Sequence, residues 1–303
     1  MQALRIVGFA SMLFGPIATV SNARAATPSF VRVSEKPCRA LALDKEPHWA
    51  ALGSESVTVQ DKYGSHQYAL PPALHGQGEL GVFFGRDYRV RVAGTLTGEK
   101  GAEMRYYRYL PGGLRPAHDE LGPLGKAGGP ALVALLGTAD PEIVCRPGMS
   151  CLIKRVSGWK TASAPEGLSQ VGLSLGTGWA LAGQKLYRLD KDWAEVGESG
   201  PWLRGTDAFV RGQQACVLEH AKSAMHHFDG ERWHSAASPV KGPRSLWGSE
   251  QSLWIAGDGG VARFNDGQFR TVPAAPAGVR RILGRDANDI WVCGEHGVHR
   301  IVL

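Results

Sequence analysis

The chain has 303 residues, with 34 Lys and Arg against 28 Asp and Glu, a formal net charge of +6. That mild surplus forms no Lys/Arg block and no basic helix, which removes the case for a nucleic-acid binder. The 40 glycines are spread along the whole length instead of massed in a linker, as a fold with many tight turns requires.

Residues 1–25 read as a cleavable signal peptide. Arg5 supplies a positive start, Ile6–Val20 is mostly apolar, and Ala23-Arg24-Ala25 offers a small-x-small cleavage site. The apolar run, about 15 residues, is too short to span a bilayer. The expectation is a secreted or periplasmic protein whose mature part, 26–303, is one domain without a transmembrane segment. Loss of Arg5 and Arg24 lowers the formal charge from +6 to +4. No lipobox precedes Cys38, so no lipid anchor is expected.

The segment PSFVRVSEKP, 28–37, reads as a strand without a partner nearby. Its pattern of an aromatic, alternating residues and then proline recurs in QFRTVPAAP from Gln268 and RWHSAASPV from Arg232. Both of those close a repeat.

The repeat is best formed in Arg244–Val272, which contains four short strands with tight turns between them. Taking Gly248, after the first strand, as anchor, Gly284, Gly212 and Gly176 follow at steps of 36 residues. Further back the steps loosen to 39, 52 and 32, at Gly137, Gly85 and Gly53, with the insertions expected between strands. Seven four-stranded sheets that cannot bury both faces alone predict an all-β, seven-bladed β-propeller. The seventh copy ends at Leu303 after three strands. Phe30–Ser34, within about 29–35, is therefore predicted to supply its fourth strand and close the ring, removing an exposed sheet edge.

Second strands carry a bulky residue followed by small ones: Trp179 before Ala180, Trp254 before Ile255-Ala256-Gly257, Trp291 before Val292-Cys293-Gly294. Alternation places Trp254 and Ala256 on one face and Ile255 on the other, so that neighbouring blades pack large against small. Trp159, Trp193, Trp233 and Phe269 recur after third strands. These rings are read as interblade core, each worth roughly 2–3 kcal/mol when buried.

Copies six and seven, SLWIAGDGGVARFNDGQF and DIWVCGEHGVHRI, resemble the bacterial secreted propellers typified by the two-component-regulator propeller and the wider WD40-like group. The resemblance covers about 176–303. It implies a sensor, adhesion or protein-interaction module, with the motif itself structural. Copy five departs from it at Leu218-Glu219-His220-Ala221, and no kinase segment follows.

Of the five cysteines, Cys145 and Cys151 flank a Pro-Gly turn in copy three and are predicted to form a disulfide across a hairpin. Cys216 and Cys293, on second strands, read as small buried residues, and the odd total leaves a free thiol. Gly172-Leu173-Ser174-Leu175-Gly176 matches the nucleophile-elbow pattern, but that motif needs a strand-to-helix turn and here a strand follows. His226 and His227 point to opposite faces of a strand, and no zinc-ligand spacing appears.

The second-to-third-strand loops, sharing a rim with the interblade connections, carry the candidate binding residues: Asp61, Lys62, Lys100, Arg146, Lys222, Asp258, Glu295 and His296. The sequence thus reads as an exported, non-catalytic propeller that binds a protein or surface glycan of the cell envelope through this rim, with no cofactor. The alternatives are a periplasmic lyase or hydrolase using funnel acids and histidines, and a structural spacer in an envelope assembly.

Overall fold

A computed structural model describes residues 28–303 apart from 45–46, 76–78, 85–88, 99–100, 111, 118–131, 135–141, 147, 149, 156–157, 250–251 and 266–267. The signal peptide expected over 1–25 and the anchors Gly85 and Gly137 lie outside the described residues.

The chain forms seven antiparallel four-stranded sheets arranged as a ring, a seven-bladed β-propeller. The first strand of each blade is innermost, and the first strands of blades 3 to 7, 1 and 2 touch in succession around the axis. These inner strands are Ala40–Leu43, Glu79–Phe84, Leu132–Ala134, Leu168–Ser174, Asp207–Arg211, Pro243–Gly248 and Val279–Asp286, for blades 1 to 7. Among the described residues the one helical turn is Pro72–Leu74. No helix there is long and apolar enough to cross a membrane.

Blade 7 takes its outer strand from the beginning of the chain. Ser29–Ser34 pairs antiparallel with Gly297–Val302, placing Phe30 opposite Ile301 and Arg32 opposite His299. Three C-terminal strands leave one row of backbone donors and acceptors open, and the N-terminal strand fills it.

A disulfide joins Cys38, just past that strand, to Cys293 in the second strand of blade 7. Cys293 is buried, as its second-strand position predicts, and its bond to Cys38 arises because ring closure brings position 38 against it, with Cα atoms 5.5 Å apart. Cys145 and Cys151 face each other across their hairpin and are bonded, as the turn predicted. Cys216 remains a buried free thiol, and burial pushes its pKa up.

Two register expectations also change. Gly53 follows Trp49–Leu52, the second strand of blade 1, because Ala40–Leu43 is that blade's first. In blade 2 much of the extra length lies inside the strands themselves, since Val90–Gly98 and Gly101–Leu110 extend the central hairpin.

Packing between blades follows the alternation. Trp254 and Ala256 join Ile282, Ile290 and Val292 of blade 7 in one cluster, while Ile255 faces back to Cys216 and Leu218 of blade 5. Burial of these large side chains on both faces of each sheet is the main term holding the ring together.

Candidate functional site

The rim formed by second-to-third turns and interblade connections holds five of the eight candidates: Arg146, Lys222, Asp258, Glu295 and His296. Lys100, in the corresponding turn of blade 2, is outside the described residues. Asp61 and Lys62 are not on this rim. With Ala40–Leu43 as first strand, they fall in the third-to-fourth turn of blade 1, at the opposite end of the ring. There Asp61 accepts the Tyr63 N–H at 2.7 Å and faces His66 at 3.5 Å, while the Lys62 ammonium lies 4.9 Å from the Tyr63 ring centroid.

The charges that share the rim are largely neutralised locally. Arg244 binds Asp258 through two hydrogen bonds, 2.7 and 3.3 Å, and this contact holds the Asp258 carboxyl below its ordinary pKa. One blade on, Arg280 and Glu295 repeat the pairing at 3.6 Å. Lys222 lies 3.3 Å from Glu219. Burial alone would raise the Glu219 carboxyl, but the Leu203 N–H, Lys222 and His226 outweigh it and lower it. Arg146 is buried, which lowers its guanidinium pKa. His296 contributes its backbone carbonyl, which accepts from Arg32 of the closing strand at 3.1 and 3.3 Å. These are contacts that fix turns and the ring seam.

His226 and His227 face opposite sides of their strand, as alternation requires, and both are buried. His226 bonds Ser235 at 2.9 Å and Glu219 at 3.3 Å, and burial lowers its pKa. His227 lies beside His234, and burial pushes its pKa down to about 4. Among the described residues, no three His, Cys, Asp or Glu side chains converge as metal ligands would. Ser174 ends the inner strand of blade 4, and a tight turn and another strand follow, so the nucleophile-elbow geometry is absent.

A cavity of about 390 Å³ lies on the axis, lined by inner-strand residues of blades 1, 4, 5, 6 and 7. Around it, polar groups of the inner strands follow a rule. In blade 5 Asp207 accepts the Leu246 N–H of blade 6 at 2.9 Å, and in blade 6 Ser245 accepts the Ile282 N–H of blade 7 at 3.3 Å. An inner-strand side chain thus satisfies a backbone donor of the next blade in two successive interfaces. Asp207 also accepts the Ala208 N–H at 2.9 Å and faces Arg281 Nη1 at 3.5 Å. Its complete burial raises the carboxyl pKa, against the opposing pull of Arg281 and these hydrogen bonds.

At the blade 1 side, Arg285 donates to the carbonyls of Asp44 and His48 and to the Asp289 carboxylate, which Arg300 also contacts at 2.8 Å. Among the described residues neither Asp44 carboxyl oxygen has a hydrogen bond, both are sealed from solvent, and His48 Nδ1 lies 3.7 Å from Oδ2. The apolar wall includes Phe209, Trp247, Leu173 and Leu283.

None of these axial residues is among the sequence candidates, because the charges of the second-to-third turns point to the rim instead. The available signal was the exception to that pattern: Ser245 and Arg281 are polar, each three residues before its repeat glycine.

No family model and no curated protein matches the sequence. Solved structures do match in fold. The chain superposes on "Streptogramin B lyase structure" with TM-score 0.60 at 10% identity, covering 91% of this chain and 97% of that one. For "YCF48 bound to D1 peptide" the values are 0.62, 13%, 91% and 97%. The extracellular domain of the putative one component system BT4673 from B. thetaiotaomicron gives 0.59 at 10% identity over 90% of this chain, which spans 42% of that one. The WD40 propeller of Doa1 also matches, at TM-score 0.59. The propeller group that the repeats resemble is thus the group whose fold this chain has. At such identities the likeness is one of fold, and the titles alone span a lyase, a peptide complex and an extracellular domain.

Proposed function

We propose that this chain is an exported binding propeller that takes a protein or surface glycan of the cell envelope at an end of its ring, with the axial cavity as the seat of contact. The observation that carries this reading is the cavity itself. A partly exposed guanidinium together with Trp179, Phe209 and Trp247 borders an open volume of about 390 Å³, a size typical of ligand sites. Two disulfides, one tying the ring's seam, support an oxidising compartment and hence export.

A second reading keeps the partner on the rim of second-to-third turns. It is favoured by Leu203, 70% exposed on the connection between blades 4 and 5, whose N–H bonds the Glu219 that also holds Lys222. Capture from envelope extract separates the two. Leu43→Trp fills the cavity, while Leu203→Ser with Lys222→Glu alters the rim. The axial reading expects capture to be lost with the first variant and kept with the second. The reverse pattern transfers the site to the rim, and capture unchanged by either removes both.

A further inference from the structure

We infer that the axial cavity recognises a carboxylate carried on an apolar or aromatic body, with the Arg281 guanidinium as its counter-charge and Trp247 and Phe209 as the wall for the body. The inference rests on the axial reading above and adds the chemical class of the ligand.

The charge argument comes from which ionisable groups face the open volume. Four line the cavity, with side-chain exposures of 0% for Asp44, 4% for Asp207, 15% for Arg285 and 36% for Arg281. The two carboxylates are turned into the wall, and Arg285 is occupied by two carbonyls and the Asp289 carboxylate. Arg281 is different. Its one hydrogen bond among the described residues is the 3.5 Å contact from Nη1 to Asp207. Asp207 does not depend on that contact alone, because the Leu246 and Ala208 N–H groups reach it at 2.9 Å and the Ser245 hydroxyl bonds it as well. Among the described residues no hydrogen bond engages Nε or Nη2 of Arg281, which lines the cavity. A planar guanidinium with spare donors matches a carboxylate through paired hydrogen bonds, and partial exclusion of water strengthens the contact.

The wall argument comes from two glycines. A Cβ at Gly284 would lie 2.5 Å from the Trp247 indole, and one at Gly248 would lie 2.6 Å from the Phe209 ring. In both cases an inner-strand aromatic of one blade lies over the glycine of the next. Both aromatic residues line the cavity, with Leu173 and Leu283 adding apolar surface. Such a surface holds an aromatic or branched aliphatic group through contact area, while Arg281 orients it. A ligand ammonium would meet the exposed guanidinium as a like charge.

Calorimetric titration of the intact protein tests this without altering it. The probes are 3-phenylpropionate, its primary amide and phenethylamine, together with Gly-Gly-Gly-Phe as free acid and as C-terminal amide. The expected result is that an acid binds at least tenfold more tightly than its amide and that phenethylamine does not bind. If 3-phenylpropionate alone shows the preference, the source is a free acid; if the peptide acid shows it too, the source is a chain end. Arg281→Gln should bring acid binding down to the amide level, and Arg281→Lys should restore part of it at low salt, with thermal melting confirming that both variants fold. Equal binding of acid and amide, preference for the amine, no binding of any probe, or an unchanged Arg281→Gln would each overturn the inference. Loss of envelope capture by Leu43→Trp alongside equal binding of acid and amide would leave the axial reading standing while the carboxylate assignment falls.

Discussion

Cys38 and Cys293 are bonded to each other across 255 residues of chain, and the Cys38 N–H donates to the Gly294 carbonyl at 2.9 Å beside the bond. The crosslink sits where the first and last blades meet, next to the strand pair that closes the ring. Opening that seam would expose the outer edge of Gly297–Val302 and release the start of blade 1 together.

A crosslink that encloses most of the chain restricts the unfolded state strongly. Replacing both cysteines by serine should therefore lower stability by about 5 kcal/mol on a loop-entropy basis. Urea unfolding of the double variant, and of the native protein with and without reductant, measures this. The released end should be cut first by a protease, within 28–37. An unchanged unfolding midpoint would show that the strand pair closes the ring by itself.

What could be read in the sequence and what could not divide along physical lines. The glycine steps from 176 to 284 are legible because the turns of blades 4 and 5 need positive φ, as at Gly176 and Gly212, and because the strands between them have fixed lengths. The closing strand was legible because blade 7 was one strand short. Blade 1 was misread by one strand since its first, ALAL, is only four residues long and lacks an aromatic, and Gly53 follows its second. That slip moved Asp61 and Lys62 to the wrong end of the ring. The Cys38–Cys293 pairing and the Asp207–Arg281 contact bridge residues 255 and 74 apart. Neither carries a local pattern, and both exist only once the ring has closed.

His227 should make the fold acid-sensitive. Burial, partly opposed by Asp229, lowers its pKa from 6.5 to about 4. In the unfolded chain the ring takes up a proton near pH 6.5, whereas the folded chain resists until about pH 4. The unfolded state thus binds more protons in that window, and stability falls as pH drops through it, by about 3 kcal/mol in all. Above pH 6.5 the term is absent. Unfolding free energies measured from pH 7.5 to 4 should show this slope, and His227→Phe should flatten it. A variant with the native slope would assign the acid sensitivity elsewhere.

Asp44 holds a carboxylate without a hydrogen bond inside the axial wall. Burial of carboxyl oxygens without hydrogen bonds opposes folding, so Asp44→Asn, which keeps the shape and carries no formal charge, should raise stability by about 1–3 kcal/mol. Chemical denaturation at pH 7 reads the change. A loss of stability would mean that His48, 3.7 Å away, supplies a compensating charge the fold depends on.

The nucleophile-like sequence 172–176 should behave as a packing motif. A Cβ on Gly172 would lie 2.1 Å from the Trp179 ring, which crosses over the backbone at that point and shares a buried cluster with Leu181 of its own blade and Ala208 and Val210 of blade 5. Gly172→Ala must displace that ring, and overpacking of this kind costs about 1–3 kcal/mol. Ser174→Ala removes a buried hydroxyl and no apolar contact, so its effect should stay within about 1 kcal/mol. The two variants therefore separate a steric glycine from a working serine. Trp179 emission should shift in the Gly172 variant and stay unchanged in the Ser174 variant. If instead Ser174→Ala were the damaging change, the serine would have a role that the strand geometry does not provide.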